Sequence, residues 1–449
     1  MRTRMNRRAT WAVIGLVLAA WIVPVGFAEG KDEAPTVTPG ARTTVTWMKS
    51  GSPSGIEARR DLLFNAFPEL GNKYALEAVI AGKSASDVNQ KLRLSLAAGA
   101  EIADLVMLQS PVMKEFVLSG VLEDVSDVYK PVMSDVPQAV RDAVTFNRKQ
   151  WGFVIQIKSK LWFYRKDMFD GAGIDPDKVV TTDDFIAAGK KLQAKYPGSY
   201  IWNLGPNFGT AAHYNFDMML SGNGGQLWDE KKKMYVVDTD PGVRAAFEDL
   251  KKIYASGITA PIDDWTPDWE RGFADNKIAS NLTVVWFVDN AYLPKWAPGQ
   301  AGKWAVTTWP RIGNARGGSQ GGAGVTVVTS KAKNKVGAKE IMKFLFLTKE
   351  GILAHYKAVP TSFPTLESAI KDPSVSKPHP YFGESFVPAM MKSLDSFKLS
   401  PTTPATDLEF QIMNQALQKY VLGNLPLDQV LAEAKKNLET QIGNPWELF

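Results

Sequence analysis

The stretch ADLVML, residues 103–108, indicates the fold most directly, because an apolar run of this length is typical of a strand buried on both faces. Two further strands precede it, TTVTWM at residues 43–48 and YALEAVI at residues 74–80. The intervening segments, residues 56–67 and a segment capped by Ser86, carry apolar side chains at helical spacing. Strand, helix, strand, helix, strand with short joins predicts parallel strands, right-handed crossovers and an α/β protein.

The later part of the chain continues in the same style. Asp240 and Pro241 predict the start of a helix, because aspartate caps a helix and proline fits its first turn. The run ASNLTVVWF, residues 279–287, predicts a strand with Trp286 close to its carboxyl end. We find no tandem repeat or low-complexity block, so these elements belong to ordinary globular domains.

The amino-terminal residues have the anatomy of a secretory signal peptide. Four arginines precede an apolar run at residues 11–23, and GFA at residues 26–28 places small side chains before a cleavage after Ala28. An uncleaved membrane anchor is the alternative, but a span needs roughly 20 residues and this run is shorter. We therefore predict a cleaved signal peptide at 1–28, a flexible tether at 29–42 and a periplasmic or extracellular mature protein.

Composition limits the possible functions. The 449 residues are 45% hydrophobic and 22% charged, and this length predicts two globular domains. The chain has no cysteine, which excludes disulfides, thiolate catalysis, zinc–cysteine sites and a lipid-modified amino-terminal cysteine. Loss of the signal peptide with its four arginines lowers the formal charge from +5 to about +1, so we expect no nucleic-acid partner.

The residue types suited to a site are aromatic rather than metal-binding. The three histidines share no metal-ligand spacing, so we expect neither a metal nor a cofactor. The chain has 14 Trp, 22 Phe and 12 Tyr residues. Most such rings pack in cores, but a flat aromatic face also stacks on the apolar face of a sugar ring while polar groups bind its hydroxyls.

Polar residues that follow the predicted strands are the first candidates for a binding site. In a parallel α/β sheet the ligand lies beyond the carboxyl ends of the strands. Lys49 and Ser52 follow the first strand, and Gln109 and Ser110 follow ADLVML. A helix-capping role is an alternative for Ser52 and for Ser110.

Six segments carry a family resemblance: AAGAEIADLVML (97–108), SGVLEDVSD (119–127), WGFVIQIKSKLWFYRKDMFDGAGI (151–174), TTDDFIAAGKKL (181–192), FADNKIASNLTVVWF (273–287) and GGAGVTVVTSKAKNKVGAKEIMKFLFLTKEG (321–351). In this order they resemble segments of the solute-binding proteins of carbohydrate ABC importers, an extracellular solute-binding family that includes maltose- and lactose-type binders. In the first segment Ala103 replaces the usual proline. PYFGESFV (380–387) loosely resembles arabino- or lacto-oligosaccharide binders.

The resemblance implies a two-lobe periplasmic-binding-protein-like fold, in which each lobe is a mostly parallel sheet flanked by helices. Three hinge crossings would join lobe 1, residues 43–157 and 323–375, to lobe 2, residues 158–322 and 376–449. The implied function is capture of a sugar or oligosaccharide in the cleft and delivery to the permease subunits of an ABC transporter. We expect a monomer.

The resemblance also implies positions in the cleft. Trp286 matches the sugar-stacking tryptophan of the family, Tyr214 a cleft aromatic beside His213, and Lys158 a polar ligand at the first crossing. Gly321 and Gly322 would let the backbone approach a ligand closely. For four other tryptophans we prefer packing to a platform role: Trp202, Trp265, Trp269 and Trp309. Trp47 is assigned to the core.

Two other functions stay open from the residues alone. A secreted glycoside hydrolase needs two carboxylates about 5–10 Å apart, and Asp263, Asp264, Asp268 and Glu270 are candidates. A binder of another small solute, such as a polyamine or iron, would need a ring of acidic or tyrosyl ligands. The absence of a nucleophile elbow, a Walker loop or a zinc motif favours a receptor without catalysis.

Overall fold

The part of the chain that the structure describes begins at Arg42. In this computed structural model the described residues are 42–157, 160–206, 210–288, 292–308, 320–321, 323–359, 362–394, 398–399 and 401–448. The predicted signal peptide therefore lies outside the described residues, as does the tether except for Arg42. Within these ranges, none of the helices combines the length and the apolar character that crossing a membrane requires.

The strands and helices alternate along much of the chain. The strands are β1 (Thr43–Ser50), β2 (Tyr74–Gly82), β3 (Leu105–Gln109), β4 (Thr145–Phe146), β5 (Lys149–Gln150), β6 (Phe153–Ile157), β7 (Lys160–Arg165), β8 (Trp202–Asn203), β9 (Trp228–Asp229), β10 (Met234–Tyr235), β11 (Thr259–Ala260), β12 (Ser280–Val284), β13 (Trp304–Thr308), β14 (Gln320–Gly321), β15 (Ala323–Val328) and β16 (Lys398–Leu399). The helices are α1 (Ser54–Ala66), α2 (Pro68–Lys73), α3 (Ala85–Ala97), α4 (Ser110–Leu118), α5 (Ser126–Tyr129), α6 (Gln138–Val144), α7 (Lys166–Gly171), α8 (Thr182–Lys195), α9 (Thr210–Gly222), α10 (Pro241–Ala255), α11 (Pro267–Ala274), α12 (Leu293–Trp296), α13 (Lys335–Phe346), α14 (Lys349–Ala358), α15 (Glu367–Ile370), α16 (Val387–Leu394), α17 (Thr406–Val421) and α18 (Leu427–Gln441).

The first lobe is built on a five-stranded sheet in the order β2-β1-β3-β15-β6. Strand β1 pairs in parallel with both β2 and β3, which confirms the predicted crossovers. Leu105, Val106 and Leu108 of β3 are fully buried, because helices cover both faces of this central strand. Trp47 is 1% exposed, in agreement with its predicted place in the core.

The second lobe has a sheet in the order β12-β7-β13, in which β7 runs against its neighbours, whereas β8, β11, β12 and β13 share one direction, as a mostly parallel arrangement predicts. Strand β7 runs antiparallel to both of its neighbours. The reason is the path of the chain: β7 leads away from the first lobe, whereas β12 and β13 lead back towards it. Parallel pairing occurs farther out, between β8 and β11 and in the bridge between Tyr200 and Ile278.

The buried apolar side chains form three clusters. The first joins residues 45–157 to residues 323–369 under the five-stranded sheet. The other two lie in the second lobe, on either side of β7. Helix α14 contributes side chains to the cores of both lobes, since Ile352 packs in the first cluster and Tyr356 in the third. The lobe limits predicted at 375 and 376 stay a proposal.

Of two predicted helix caps, the one at Asp240 is confirmed and the one at Ser86 is wrong. Helix α10 begins at Pro241 as predicted, and the Asp240 carboxylate accepts a hydrogen bond from the Val243 amide at 2.9 Å. The cap of α3 is Ser84 and not Ser86. The Ser84 amide donates to the Asp87 carboxylate at 2.8 Å and the Asp87 amide donates back to Ser84 Oγ, which completes a capping box.

Candidate functional site

The two sheets meet at edges formed by strand ends. In the first lobe, β3 ends at Gln109 beside the start of β15, which in turn pairs with Ile157 at the end of β6. In the second lobe, Lys160 at the start of β7 lies opposite Val284 at the end of β12. Since only residues 158 and 159 separate β6 from β7, these two edges face each other across the crossing. This is where strand ends place a ligand in an α/β protein.

Lys49 and Ser52 line the first-lobe edge at the end of β1. Lys49 Nζ donates to the Ser52 carbonyl oxygen at 3.2 Å, and Ser52 Oγ lies 2.5 Å from Ser54 Oγ. Burial lowers the pKa of the Lys49 ammonium, and the positive charge of Arg59 lowers it further. An ammonium that has lost part of its hydration shell is suited to donating hydrogen bonds to ligand oxygens.

Gln109 and Ser110 lie at the same edge and have different surroundings. Gln109 is partly buried and ends β3 opposite Gly324. Ser110 begins α4 and is buried, and its hydroxyl oxygen accepts a hydrogen bond from the Ala323 amide at 2.8 Å. The Ser110 hydroxyl therefore links α4 to β15. This structural role is independent of any contact that Ser110 makes with a ligand.

Trp286 lies on the second-lobe edge, one turn beyond the strand that was predicted to hold it. Strand β12 ends at Val284, not at residue 287, and residues Val285–Val288 form a 3₁₀ turn. The Trp286 ring is partly buried and stacks on Trp265, with ring centroids 4.9 Å apart and planes 29° apart. Tyr292 meets Trp286 edge-on, with centroids 5.1 Å apart.

Buried groups under this aromatic pair hold it in place. Trp269 is 2% exposed, and its Nε1 donates to Asn203 Oδ1 at 3.0 Å. The other end of the same amide, Asn203 Nδ2, donates to the Ile262 carbonyl oxygen at 3.0 Å and to the Asp264 carboxylate. Burial raises the pKa of the Asp264 carboxyl to about 6. One asparagine thus ties β8, the loop before α11 and α11 together.

The other tryptophans considered in the sequence analysis differ in how far they are exposed to solvent. Trp202 is 2% exposed and Trp269 equally so, which confirms packing for both. Trp265 is 49% exposed, so it is a rim residue rather than a core one. Its exposure depends on loop geometry that a sequence pattern does not show. Trp309 lies outside the described residues.

The remaining predicted site residues lie at the crossings and on α9. His213 and Tyr214 belong to α9, and their side chains lie outside the described part of the structure. Gly321 ends β14 and pairs in parallel with Leu399 of β16. Lys158 and Gly322 lie outside the described residues.

A cavity of about 260 Å³ is lined by residues of α4 and α6 and by residues within 226–230 and 401–409 of the second lobe. Its polar groups bond to one another: Lys114 Nζ donates to the Thr402 carbonyl oxygen at 2.6 Å, and Glu409 accepts from the Thr403 and Tyr235 hydroxyls at 2.7 and 2.9 Å. Burial raises the pKa of the Glu409 carboxyl to about 7. Among the predicted site residues whose side chains the structure describes, Ser110 alone lines this cavity, so we place the candidate site at the aromatic pair.

Carboxylates near the aromatic pair are engaged in structural contacts. Asp268 forms an ion pair with Arg271 on the exposed side of α11, and Asp264 accepts from Asn203. Among the residues that the structure describes, no group of three or more His, Cys, Asp or Glu side chains could hold a metal ion.

Comparison with known proteins gives consistent results. A family model described as bacterial extracellular solute-binding protein matches residues 63–381. An arabinooligosaccharide-binding protein of Halalkalibacterium halodurans is 22% identical over 375 residues, which cover 79% of this chain and 80% of the relative. A lactose-binding protein of Rhizobium radiobacter is 26% identical over 294 residues, which cover 62% and 67%.

Solved structures with the same fold carry sugars. The binding protein of an ABC transporter from B. animalis subsp. lactis Bl-04, in complex with beta-1,6-galactobiose, has a TM-score of 0.73 at 20% identity and covers 90% of this chain and 99% of that one. A maltose-bound protein of T. maritima has a TM-score of 0.72 at 18% identity, with coverage of 89% and 100%. These likenesses confirm the predicted two-lobe α/β fold.

Proposed function

This chain belongs to the family of bacterial extracellular solute-binding proteins, and from that membership we propose that it captures a sugar or oligosaccharide between its lobes and delivers it to the permease of an ABC importer. The family is one of binding proteins and not of enzymes, so the prediction of a receptor without catalysis is confirmed. The relatives named above bind arabinooligosaccharide and lactose, and the same class of ligand is proposed here.

The observation that carries the proposal is the stacked indole pair at the strand ends of the second lobe. Trp265 and Trp286 present aromatic surface where the two sheets face each other. Pyranose rings have one apolar face that suits such a surface. Across the cleft, Lys49, Ser52 and Gln109 supply donors and acceptors for sugar hydroxyls. We keep Ser110, Lys158, His213, Tyr214, Gly321 and Gly322 as further proposed ligand positions.

A thermal-shift panel on the mature protein tests this function. A ligand that binds only the folded state raises the melting temperature, by mass action. We expect a shift with at least one mono- or oligosaccharide and none with polyamines or iron chelates. Small-angle scattering with the same sugar should give a smaller radius of gyration, because the lobes close on it. A panel without any sugar-dependent shift, or sustained release of hydrolysed sugar, would contradict the proposal.

We further propose that residues 1–28 are removed on export and that the mature protein is a monomer released without lipid. The proposal rests on the small residues before Ala28 and on the absence of cysteine. Amino-terminal sequencing of exported protein should begin near Glu29. Recovery of the full-length chain in the membrane fraction would show instead that the apolar run is kept as an anchor.

A further inference from the structure

Trp265 is the most exposed tryptophan that the structure describes next to the candidate site. Its side chain is 49% exposed, whereas Trp269, four residues later, is 2% exposed. Leaving so much of an indole in water forgoes a large part of the free energy that its burial would contribute.

The backbone at Trp265 is also in an unfavourable conformation. Its φ angle is +64°, in the left-handed region, where a bulky L-residue is sterically disfavoured. The neighbouring Thr266 fixes this turn, because its Oγ1 donates to the Asp263 carbonyl oxygen at 2.8 Å and accepts from the Trp269 amide at 3.2 Å. Strain of this kind is concentrated at functional positions in proteins.

Three aromatic rings surround Trp265 and leave about half of its surface, 49%, exposed. Trp286 stacks on it with nearly parallel planes, and Tyr292 meets it edge-on at a centroid distance of 6.0 Å. Trp269 supports it from the buried side at 5.3 Å. An indole that is backed by a second indole and still half exposed is a rigid flat surface, which loses little entropy when a ligand covers it.

The position of this surface is set by strand directions. Strand β8 runs parallel to β12 through the bridge between Tyr200 and Ile278, and β11 runs parallel to β8. The loops after β11 and β12, which carry Trp265 and Trp286, therefore leave the sheet at the same edge, the one that faces the first lobe. The outer face of Trp265 is at the rim of the cleft.

We propose that Trp265 is the outer ring of the sugar platform and stacks directly on a pyranose ring, while Trp286 backs it from behind. This inference rests on the proposed function and deepens it. It assigns the ligand contact to a residue that carries both an unfavourable backbone angle and an exposed indole, and it makes Trp265 a determinant of affinity for sugars with an open apolar face.

The test compares Trp265→Asn with a matched control, Lys233→Asn. Asparagine tolerates the left-handed conformation, so Trp265→Asn removes the ring and relieves the backbone. Lys233 has a φ of +55° in the exposed turn between β9 and β10, so Lys233→Asn makes the same backbone change away from the site. Calorimetry with the sugar found in the panel should show roughly 10-fold weaker binding for Trp265→Asn and no change for Lys233→Asn.

Ligand-free melting temperature and fluorescence complete the test. We expect the melting temperature of Trp265→Asn to stay the same or rise, a combination with weaker binding that a merely structural tryptophan would not give. In the wild type, sugar should shield tryptophan fluorescence from acrylamide, and this shielding should largely disappear in Trp265→Asn. Unchanged affinity in Trp265→Asn would overturn the inference and leave the sugar-binding function standing. If the wild type binds no sugar, the proposed sugar-binding function and the role of Trp265 are both wrong.

Discussion

Trp269→Ala is expected to lower the free energy of unfolding by about 3–5 kcal/mol, the usual range for truncating a buried large aromatic side chain. The ring is 2% exposed and lies against Phe273 and Trp296 at centroid distances of 5.3 and 5.1 Å. Its removal leaves a cavity that these rigid rings cannot fill, and it leaves Asn203 Oδ1 without the indole donor. Urea denaturation followed by circular dichroism measures the change.

The matched variant Trp269→Phe separates packing from hydrogen bonding. It keeps an aromatic ring in the cluster but loses the Nε1 donor, so we expect a smaller loss of about 1–3 kcal/mol. A loss below about 1 kcal/mol for Trp269→Ala would mean that the cluster repacks, and the support that we assign to Trp269 beneath the aromatic pair would be wrong.

Trp286→Ala is expected to weaken sugar binding by roughly 30-fold, or about 2 kcal/mol. The substitution removes the ring that holds Trp265 in its orientation, so the platform is lost as a whole, whereas Trp265→Asn uncovers Trp286 and leaves one aromatic face at the site. Because Trp286 is only partly buried, its loss should cost less stability than the loss of Trp269. Calorimetric affinity and the ligand-free melting temperature are the two measurements.

The two measurements on Trp286→Ala separate a platform from a core residue. Weak binding with a nearly unchanged melting temperature supports the platform. A large fall in melting temperature with normal affinity in the remaining folded protein would make Trp286 a packing residue. Trp446→Ala is a suitable control, because Trp446 is also partly buried and also stacks on one aromatic ring, that of Phe146.

Much of the fold could be predicted because its signals are local. The Asp240–Pro241 cap and the apolar run of β3 act through neighbours within a few residues, and both predictions are confirmed. The cap of α3 was assigned to Ser86, although Ser84 and Asp87 form a capping box that three-residue spacing could have shown. The end of β12 was misplaced because apolar side chains continue through the 3₁₀ turn after Val284.

The site was harder to predict because its contacts are distant in sequence. The Ser110 hydroxyl binds the Ala323 amide, and Asn203 joins Trp269 to Asp264, which no pattern within one segment shows. Trp286 could be named because it lies near the end of a strand. Trp265 combines an exposed side chain with a positive φ angle, and the residue type gives no sign of either.

The central place of β15 has a consequence for how this protein is made. In the sheet of the first lobe, β15 lies between β3 and β6, so β6 and the β3 edge that faces away from β1 lack a partner until residues 323–328 are synthesised. At about 5–20 residues per second, roughly 10–40 s separate the synthesis of β3 from that of β15. During that interval the nascent chain carries two open strand edges, which are templates for pairing with other chains. A chaperone or export channel that keeps the chain extended would protect these edges from pairing with other chains until β15 has been synthesised.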